Sequence, residues 1–189
     1  MRLLSMLKRC VLCLVVLSAP AINTLAADRF MQPVNAGTAS PYTSWATAAT
    51  NFTQLAAVWQ DGYVIWLATG VYHNAALVTV DRGLTIKGFG SRESTFFNGG
   101  GWLGFQLQHS NALIEGITIT NCWHPDYGSA VYIFMGGTVR NCTLASNTSV
   151  SGGGAIYLDQ GGVVDGCLVV GNRTSGSGGG IACGYGGTI

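Results

Sequence analysis

The feature that most constrains this sequence is a 25-residue repeat, which begins at Asn111 and continues to the end of the chain. Three successive units occupy residues 111–135, 136–160 and 161–185, and a fourth begins with Gly-Gly-Thr-Ile. Apolar positions that keep a fixed period predict stacked, equivalent structural units. The units align in four apolar columns: Ile114, Val139, Val164 and Ile189; Ile117, Cys142 and Cys167; Ile119, Leu144 and Val169; and Val131, Ile156 and Ile181.

Each unit alternates apolar and polar residues over short segments that end in Gly, Asn or Ser, as in residues 139–144. This pattern is typical of strands and turns and lacks the 3.6-residue period of a helix. One unit cannot bury its apolar face alone, whereas parallel pairing of equivalent strands about 4.8 Å apart buries it. The frame of a leucine-rich repeat is missing. We predict an all-β fold, a right-handed parallel β-helix with 25 residues per coil.

Several segments resemble right-handed parallel β-helix proteins of the pectate-lyase-like superfamily, over roughly residues 42 to 189. Residues 153–156 and 179–182 resemble the GGAI motif of chlamydial polymorphic outer membrane proteins, and Asn147 and Asn172 keep the Asn of the FxxN motif of that group. The resemblance implies a glycine-rich bacterial surface protein with the predicted fold. Upstream, the segments that resemble the first coils of the superfamily are residues 62–72 and 84–88.

The first 27 residues have the pattern of an export signal. A positively charged start that includes Lys8 and Arg9 precedes an apolar stretch at 10–17, and small residues follow up to Ala27. The apolar stretch is too short to span a bilayer. We therefore predict a secreted or cell-surface protein made of a signal peptide at 1–27, an N-terminal cap region at 28–62 and a parallel β-helix at 63–189.

The cap region contains the most helix-compatible stretches of the mature chain, residues 44–49 and 53–59. Ser44 and Asn51 are predicted N-caps, and Asp61-Gly62 is a predicted stop. A short helix there is expected to cover an otherwise open sheet edge. At the other end the chain stops at Ile189, as the fourth unit begins. This predicts an N-terminal fragment of a longer β-helix, or otherwise a chain that self-associates through the open edge at Ile189.

Charge excludes one class of partner. Nine basic and eight acidic residues make up only 9% of the chain, which is too sparse and too balanced for binding nucleic acid through its phosphates. No second apolar run of membrane length follows the signal, so we predict no transmembrane helix after signal cleavage. The partners that remain are an extracellular polysaccharide or a cell-surface protein.

Four charged residues precede the same turn in four successive coils: Lys87, Glu115, Arg140 and Asp165. Their alternating signs favour a surface salt-bridge ladder, in which each pair contributes roughly 0–1 kcal/mol. The alternative is a polysaccharide-cleaving site, because Glu115 and Asp165 would lie about 9–10 Å apart, near the upper limit for an inverting carboxylate pair. Arg140 between them would keep both carboxylates ionised, when one must be protonated to serve as the acid. We therefore name Glu115, Arg140 and Asp165 only as weak catalytic candidates.

Other reactive side chains predict no catalytic, cofactor or metal site. The acidic residues Asp126, Asp159 and Asp165 fall in different columns, so they do not form the carboxylate cluster of a calcium-dependent lyase. The three histidines, His73, His109 and His124, are isolated in sequence. Among the cysteines that remain after signal cleavage, Cys142 and Cys167 share an inward column, and free thiols are favoured over a disulfide because their Cβ atoms would be about 4.8 Å apart. The other two, Cys122 and Cys183, have no forced partner, and none has zinc-site spacing.

Two further sets of side chains are expected to stack from coil to coil. Asn147 and Asn172 follow the core strand, where asparagine tolerates left-handed backbone and its amide can bond the copy above, which predicts an asparagine ladder. A set of aromatic residues predicts either a packing ladder or a strip on which sugars stack. Its members are Trp102, Trp123, Tyr127, Tyr132 and Tyr157.

Two functions of different class follow from these observations. The first is a non-enzymatic, adhesin-like β-helix that presents its repeat surface to glycans or proteins. The second is the N-terminal part of a polysaccharide lyase or glycoside hydrolase whose active coils lie beyond residue 189. Export, the regular repeat and the missing acid clusters favour the first, although a fold alone does not choose between them.

Overall fold

A computed structural model describes residues 27–73 and 76–189 and has the architecture of a parallel β-helix of five coils preceded by one strand. The first strand is β1 (Asp28–Met31). Coils 1 and 2 contain three strands each: β2 (Val64–Leu67), β3 (Gly70–His73) and β4 (Val78–Val80), then β5 (Thr85–Gly88), β6 (Thr95–Asn98) and β7 (Phe105–Leu107).

Coils 3 to 5 have a fourth, two-residue strand between their second and last strands. Coil 3 contains β8 (Leu113–Glu115), β9 (Thr118–Thr120), β10 (Trp123–His124) and β11 (Val131–Ile133). Coil 4 contains β12 (Thr138–Arg140), β13 (Thr143–Ala145), β14 (Thr148–Ser149) and β15 (Ile156–Leu158). Coil 5 contains β16 (Val163–Asp165), β17 (Leu168–Val170), β18 (Arg173–Thr174) and β19 (Ile181–Cys183).

Equivalent strands of successive coils pair in parallel and form four sheets that run along the solenoid. Sheet A has the order β1-β2-β5-β8-β12-β16, and sheet B the order β3-β6-β9-β13-β17. Sheet C has the order β4-β7-β11-β15-β19, and sheet D, the short one, β10-β14-β18. The pairing of Ile114 with Val139 and of Val139 with Val164 confirms the 25-residue register that the repeat predicted.

The core lies inside the coils, where sheets A, B and C contribute columns of apolar side chains. In sheet A the column begins at Ile65 and Ile86. It continues through Ile114, Val139 and Val164, and all five residues are buried. In sheet B the larger rings of Tyr72 and Phe97 precede Ile119 and Leu144 in the same column. Because parallel pairing places identical positions about 4.8 Å apart, an apolar residue at each position gives a continuous core.

Tight turns join sheet A to sheet B. At the same place in coils 3, 4 and 5 the chain turns through Gly116, Asn141 and Gly166, whose φ angles are 67°, 48° and 59°. This left-handed backbone favours Gly and Asn, which explains why polar and glycine residues interrupt the apolar pattern there. The next turn has its left-handed residue at Ser146, one position before Asn147, so the structure corrects the expectation that Asn147 itself supplies that conformation.

The N-terminal region covers the first coil with a strand and two short helical segments. The 3-10 helix Trp45–Thr47 is capped by Ser44, and α1 (Phe52–Ala56) is capped by the Asn51 side chain, which accepts from the Gln54 N–H at 2.9 Å. Both predicted N-caps are confirmed. The helix ends at Ala56, before the predicted stop, and its residues Phe52 and Leu55 are buried over the end of the core.

The open edge of sheet A is covered differently from the prediction. Strand β1 pairs in parallel with β2, with Asp28 opposite Val64 and Met31 opposite Leu67. The edge is therefore closed by a strand, whereas α1 closes the apolar interior, where the Phe52 ring makes edge contacts with Phe97 and Phe105. The predicted signal peptide lies outside the described residues except for Ala27. In the part of the chain that is described, no helix has the length and apolar character needed to cross a membrane.

Candidate functional site

The four charged residues of the predicted ladder stand in one row on the outer face of sheet A. Backbone pairing places Lys87 opposite Glu115, Glu115 opposite Arg140, and Arg140 opposite Asp165. The Lys87 ammonium lies 3.2 Å from the Glu115 carboxylate, and the Arg140 guanidinium lies 3.3 Å from the Asp165 carboxylate. The row therefore consists of two successive ion pairs on an accessible face.

The geometry of this row does not assemble a catalytic constellation. Glu115 and Asp165 are separated by the intervening Arg140 strand, and each carboxylate is directed to a cation. A third acidic residue does not join them: within the described ranges, no group of three or more His, Cys, Asp and Glu side chains is close enough to hold a metal ion. The row has the properties of exposed ion pairs, whose contribution to stability is small.

The cysteine thiols are free in the structure, and two of them stack. Cys142 and Cys167 occupy the same turn position in coils 4 and 5, and the hydrogen bond between their thiols lowers the pKa of Cys167 to about 7 and raises that of Cys142 well above its usual range. Arg92 reaches the residues just before both cysteines, since its guanidinium donates to the Asn141 side-chain oxygen and the Gly166 carbonyl.

An asparagine ladder is present where the sequence predicted it. The Asn147 side-chain N–H group donates to the Asn172 side-chain oxygen at 3.0 Å and to the Ile119 carbonyl at 3.0 Å. Its own side-chain oxygen accepts from the Cys122 backbone N–H at 3.0 Å. Asn147 is fully buried, so these bonds satisfy polar groups that water does not reach. Cys122 heads the same column, and burial raises the pKa of its thiol to about 12.

The structure divides the five predicted aromatic residues into two groups. The three tyrosines pack on one another: Tyr127 and Tyr157 have ring centroids 4.4 Å apart, and Tyr132 and Tyr157 have centroids 5.8 Å apart with nearly parallel planes. The Tyr132 hydroxyl donates to the Asp159 carboxylate at 3.0 Å. Because stacked rings cover one another's faces, this group is a packing ladder.

The two tryptophans are exposed to solvent. Trp102 is 59% exposed and Trp123 is 46% exposed, and neither indole makes a ring contact with another aromatic side chain of the described chain. Their backbones are adjacent, since the Trp123 N–H donates to the Trp102 carbonyl at 3.1 Å. They line a groove of about 330 Å³, together with Leu77, Leu103, His124 and Pro125. We call this feature the tryptophan groove.

Loop length explains why the groove forms at this place. The connection before the last strand of coil 2 comprises residues 99–104, whereas that of coil 3 comprises residues 121–130 and includes β10. The longer connection of coil 3 adds β10, the edge strand of sheet D. The shorter connection of coil 2 leaves space beside that strand. Trp102 and Trp123 stand on the two sides of this change in coil shape.

The polar groups of the groove are mainly N–H donors. The Nδ1 atom of His124 accepts the backbone N–H of Asp126 at 3.3 Å, so the ring proton lies on Nε2. Burial lowers the pKa of His124 and favours a neutral imidazole, despite the opposing effects of the Asp126 carboxylate and of a hydrogen bond to the Tyr127 backbone. Neither Trp102 nor Trp123 has an indole N–H bond to another described residue. The groove thus combines two exposed indole rings with their two N–H donors.

Reasoning from the sequence found the residues of this site only in part. It grouped Trp102 and Trp123 with the three tyrosines and treated His124 as an isolated residue. One sequence signal distinguishes the two tryptophans from the tyrosines. Coil 2 departs from the 25-residue period, because its connection before the last strand, residues 99–104, is shorter. The other two histidines lie elsewhere: His73 is on β3, and the Nδ1 atom of His109 accepts the Asn111 N–H at 3.1 Å.

Fold and site together define the class of this protein as a parallel β-solenoid with an aromatic groove on one side of its coils. Comparison with protein-family models, with curated proteins and with solved structures found no significant match.

Proposed function

We propose that this protein is an exported, non-enzymatic β-helix that binds glycans through the tryptophan groove and acts as an adhesin-like module. The single observation that carries the proposal is the pair of exposed indoles in one groove, each with an N–H donor that bonds no other described residue. A sugar ring has one apolar C–H face and a rim of oxygen atoms. The apolar C–H face can stack on an indole ring, and the oxygen atoms can accept hydrogen bonds from N–H donors.

The size and position of the groove also support ligand binding. Its volume of about 330 Å³ is in the range of small-molecule sites. Its lining residues come from the connections of three successive coils, so the groove runs along the side of the solenoid. Exposed apolar side chains in a cluster mark interaction surfaces, whereas single exposed ones need no explanation.

Export is the second part of the proposal. The order of basic, apolar and small residues over 1–27 supports a signal peptide and therefore an extracellular or cell-surface location. Residues 153–156 and 179–182, which resemble the repeats of polymorphic outer membrane proteins, support a surface role within the pectate-lyase-like superfamily. Expression of the whole chain with a C-terminal epitope tests this part, since export removes about 27 residues from the mass and places the epitope outside the cytoplasm.

The binding test is isothermal titration of the chain with linear oligosaccharides, repeated with Trp102→Ala and Trp123→Ala. Each substitution removes one stacking face, so we expect each to weaken binding about fivefold. Phe89→Ala is the matched control, because Phe89 is an exposed aromatic residue (63%) outside the groove. Equal losses in all three variants, or no binding by the unaltered chain, would overturn the proposal.

The same titrations distinguish the enzymatic alternative. Cleavage would release shorter sugars during the experiment, and lyase chemistry would add an unsaturated sugar that absorbs in the ultraviolet. In the described chain, the carboxylates of Glu115 and Asp165 are directed to Lys87 and Arg140 and do not face the groove residues. We expect the sugars to be recovered intact, and the appearance of products would favour a lyase or hydrolase.

A further inference from the structure

We infer that the tryptophan groove selects uncharged sugar residues and discriminates against uronates. This inference rests on the proposed function, because it specifies the ligand of the same groove. Its grounds are the charges around the groove, which are independent of the exposed indoles used above.

None of the described residues that line the groove carries a formal charge. Its lining residues are apolar or aromatic apart from His124, whose Nδ1 atom is occupied as an acceptor by the Asp126 N–H. A sugar carboxylate that enters such a groove loses water without gaining a cation. That exchange is unfavourable, because burying an unpaired ion costs far more than burying a hydroxyl that finds a hydrogen-bond partner.

The Asp126 carboxylate adds to this discrimination. Asp126 lies two residues after His124, and its carboxylate is close enough to act on the imidazole. The nearest cation in the pairing register is Arg173, which lies two strands from Trp123 in sheet D with Thr148 between them. That separation is about 10 Å, which is the distance over which salt screens exposed charges.

The donors of the groove suit the oxygen atoms of a neutral sugar. The two indole N–H groups of Trp102 and Trp123 offer donors to hydroxyl, ring or acetamido oxygens. A hydroxyl accepts these bonds while its own proton remains free for water. An anionic sugar meets the same donors and is repelled by the Asp126 carboxylate.

The test compares three hexasaccharides in isothermal titrations of the whole chain: one of glucose, one of N-acetylglucosamine and one of galacturonic acid. We expect at least one neutral ligand to bind at least about fivefold more tightly than the uronate at low salt. Asp126→Asn should strengthen uronate binding about threefold and leave neutral binding unchanged, because it removes one negative charge from the rim. Asp165→Asn, which changes a carboxylate on sheet A, is the matched control.

The outcomes separate this inference from the proposed function. If no hexasaccharide binds, glycan binding fails and the inference fails with it. If the uronate binds as tightly as the neutral ligands or more tightly, and Trp102→Ala weakens that binding, the groove binds glycans but the selectivity inferred here is wrong. If Asp126→Asn and Asp165→Asn have the same effect on uronate binding, Asp126 does not supply the discrimination, and that also overturns the inference.

Discussion

The backbone N–H of Trp123 donates to the backbone carbonyl of Trp102 at 3.1 Å, which fixes two exposed indoles on neighbouring coils. Both hydrogen-bonding atoms belong to the main chain, so the contact survives replacement of either side chain. A single main-chain hydrogen bond outside the parallel ladders thus joins the backbones of the two residues. The indole rings take no part in that hydrogen bond.

The first prediction is that the indole of Trp102 can be removed without a large loss of stability. We expect Trp102→Ala to lower the free energy of unfolding by less than about 1 kcal/mol, because the ring is mainly solvent-exposed. Urea unfolding of both proteins, followed by circular dichroism, measures the difference. A loss above about 3 kcal/mol would show that the indole is part of the core and that its effect on binding is indirect.

The second prediction concerns the buried asparagine ladder. Asn147→Ala leaves the Cys122 N–H and the Ile119 carbonyl without their bonds to this side chain, and we expect a loss of about 2–4 kcal/mol in the free energy of unfolding. Gln160→Ala, which changes an exposed amide, is the control and should have almost no effect. Equal stability of the two variants in urea would contradict the structural role of the ladder.

The third prediction concerns the charged row on sheet A. Arg140→Gln should change the free energy of unfolding by no more than about 1 kcal/mol, as exposed ion pairs contribute little. Arg140→Glu places a third carboxylate between Glu115 and Asp165 and should destabilise the chain further, by about 1 kcal/mol in low salt. Unfolding at low and high sodium chloride checks this. A loss for Arg140→Glu that does not diminish in high salt would show that its origin is not electrostatic.

The fourth prediction concerns thiol reactivity in the folded chain. The hydrogen bond from Cys142 lowers the pKa of Cys167 to about 7, so its alkylation by iodoacetamide should rise steeply between pH 6 and pH 8 as the thiolate forms. Burial raises the pKa of Cys122 to about 12, and its thiol should stay unmodified over that range. Peptide mass spectrometry after short labelling gives both rates, with the exposed Cys183 as the accessibility reference. Labelling of Cys167 that begins only above pH 8.5 would contradict the prediction.

The repeat predicted the fold because each column of the solenoid must be apolar in every coil. Val139 and Val164 pair as the period requires, and Asn147 bonds Asn172 as stacked amides do. In a solenoid the register of one coil fixes that of the next, so local sequence carries most of the topology. The strand β1 was not predicted, since it belongs to no repeat and pairs with β2 across more than thirty residues of chain.

The candidate site was harder to predict because it arises where the repeat changes. Trp102 and Trp123 do not occupy equivalent positions of the 25-residue period, and their proximity depends on the unequal connections 99–104 and 121–130. The tyrosines show the opposite case. Tyr132 and Tyr157 are in register, and for that reason their rings cover each other and leave less face for a ligand.

The most direct test of the central claim is saturation-transfer difference NMR of the chain with a neutral hexasaccharide. If the indoles bind a sugar by its apolar face, the C–H protons of that face should receive the strongest saturation. The double variant Trp102→Ala/Trp123→Ala should abolish the transfer while the chain remains folded by circular dichroism. Transfer of equal strength from the folded double variant, or its absence with the unaltered chain, would contradict glycan binding at the tryptophan groove.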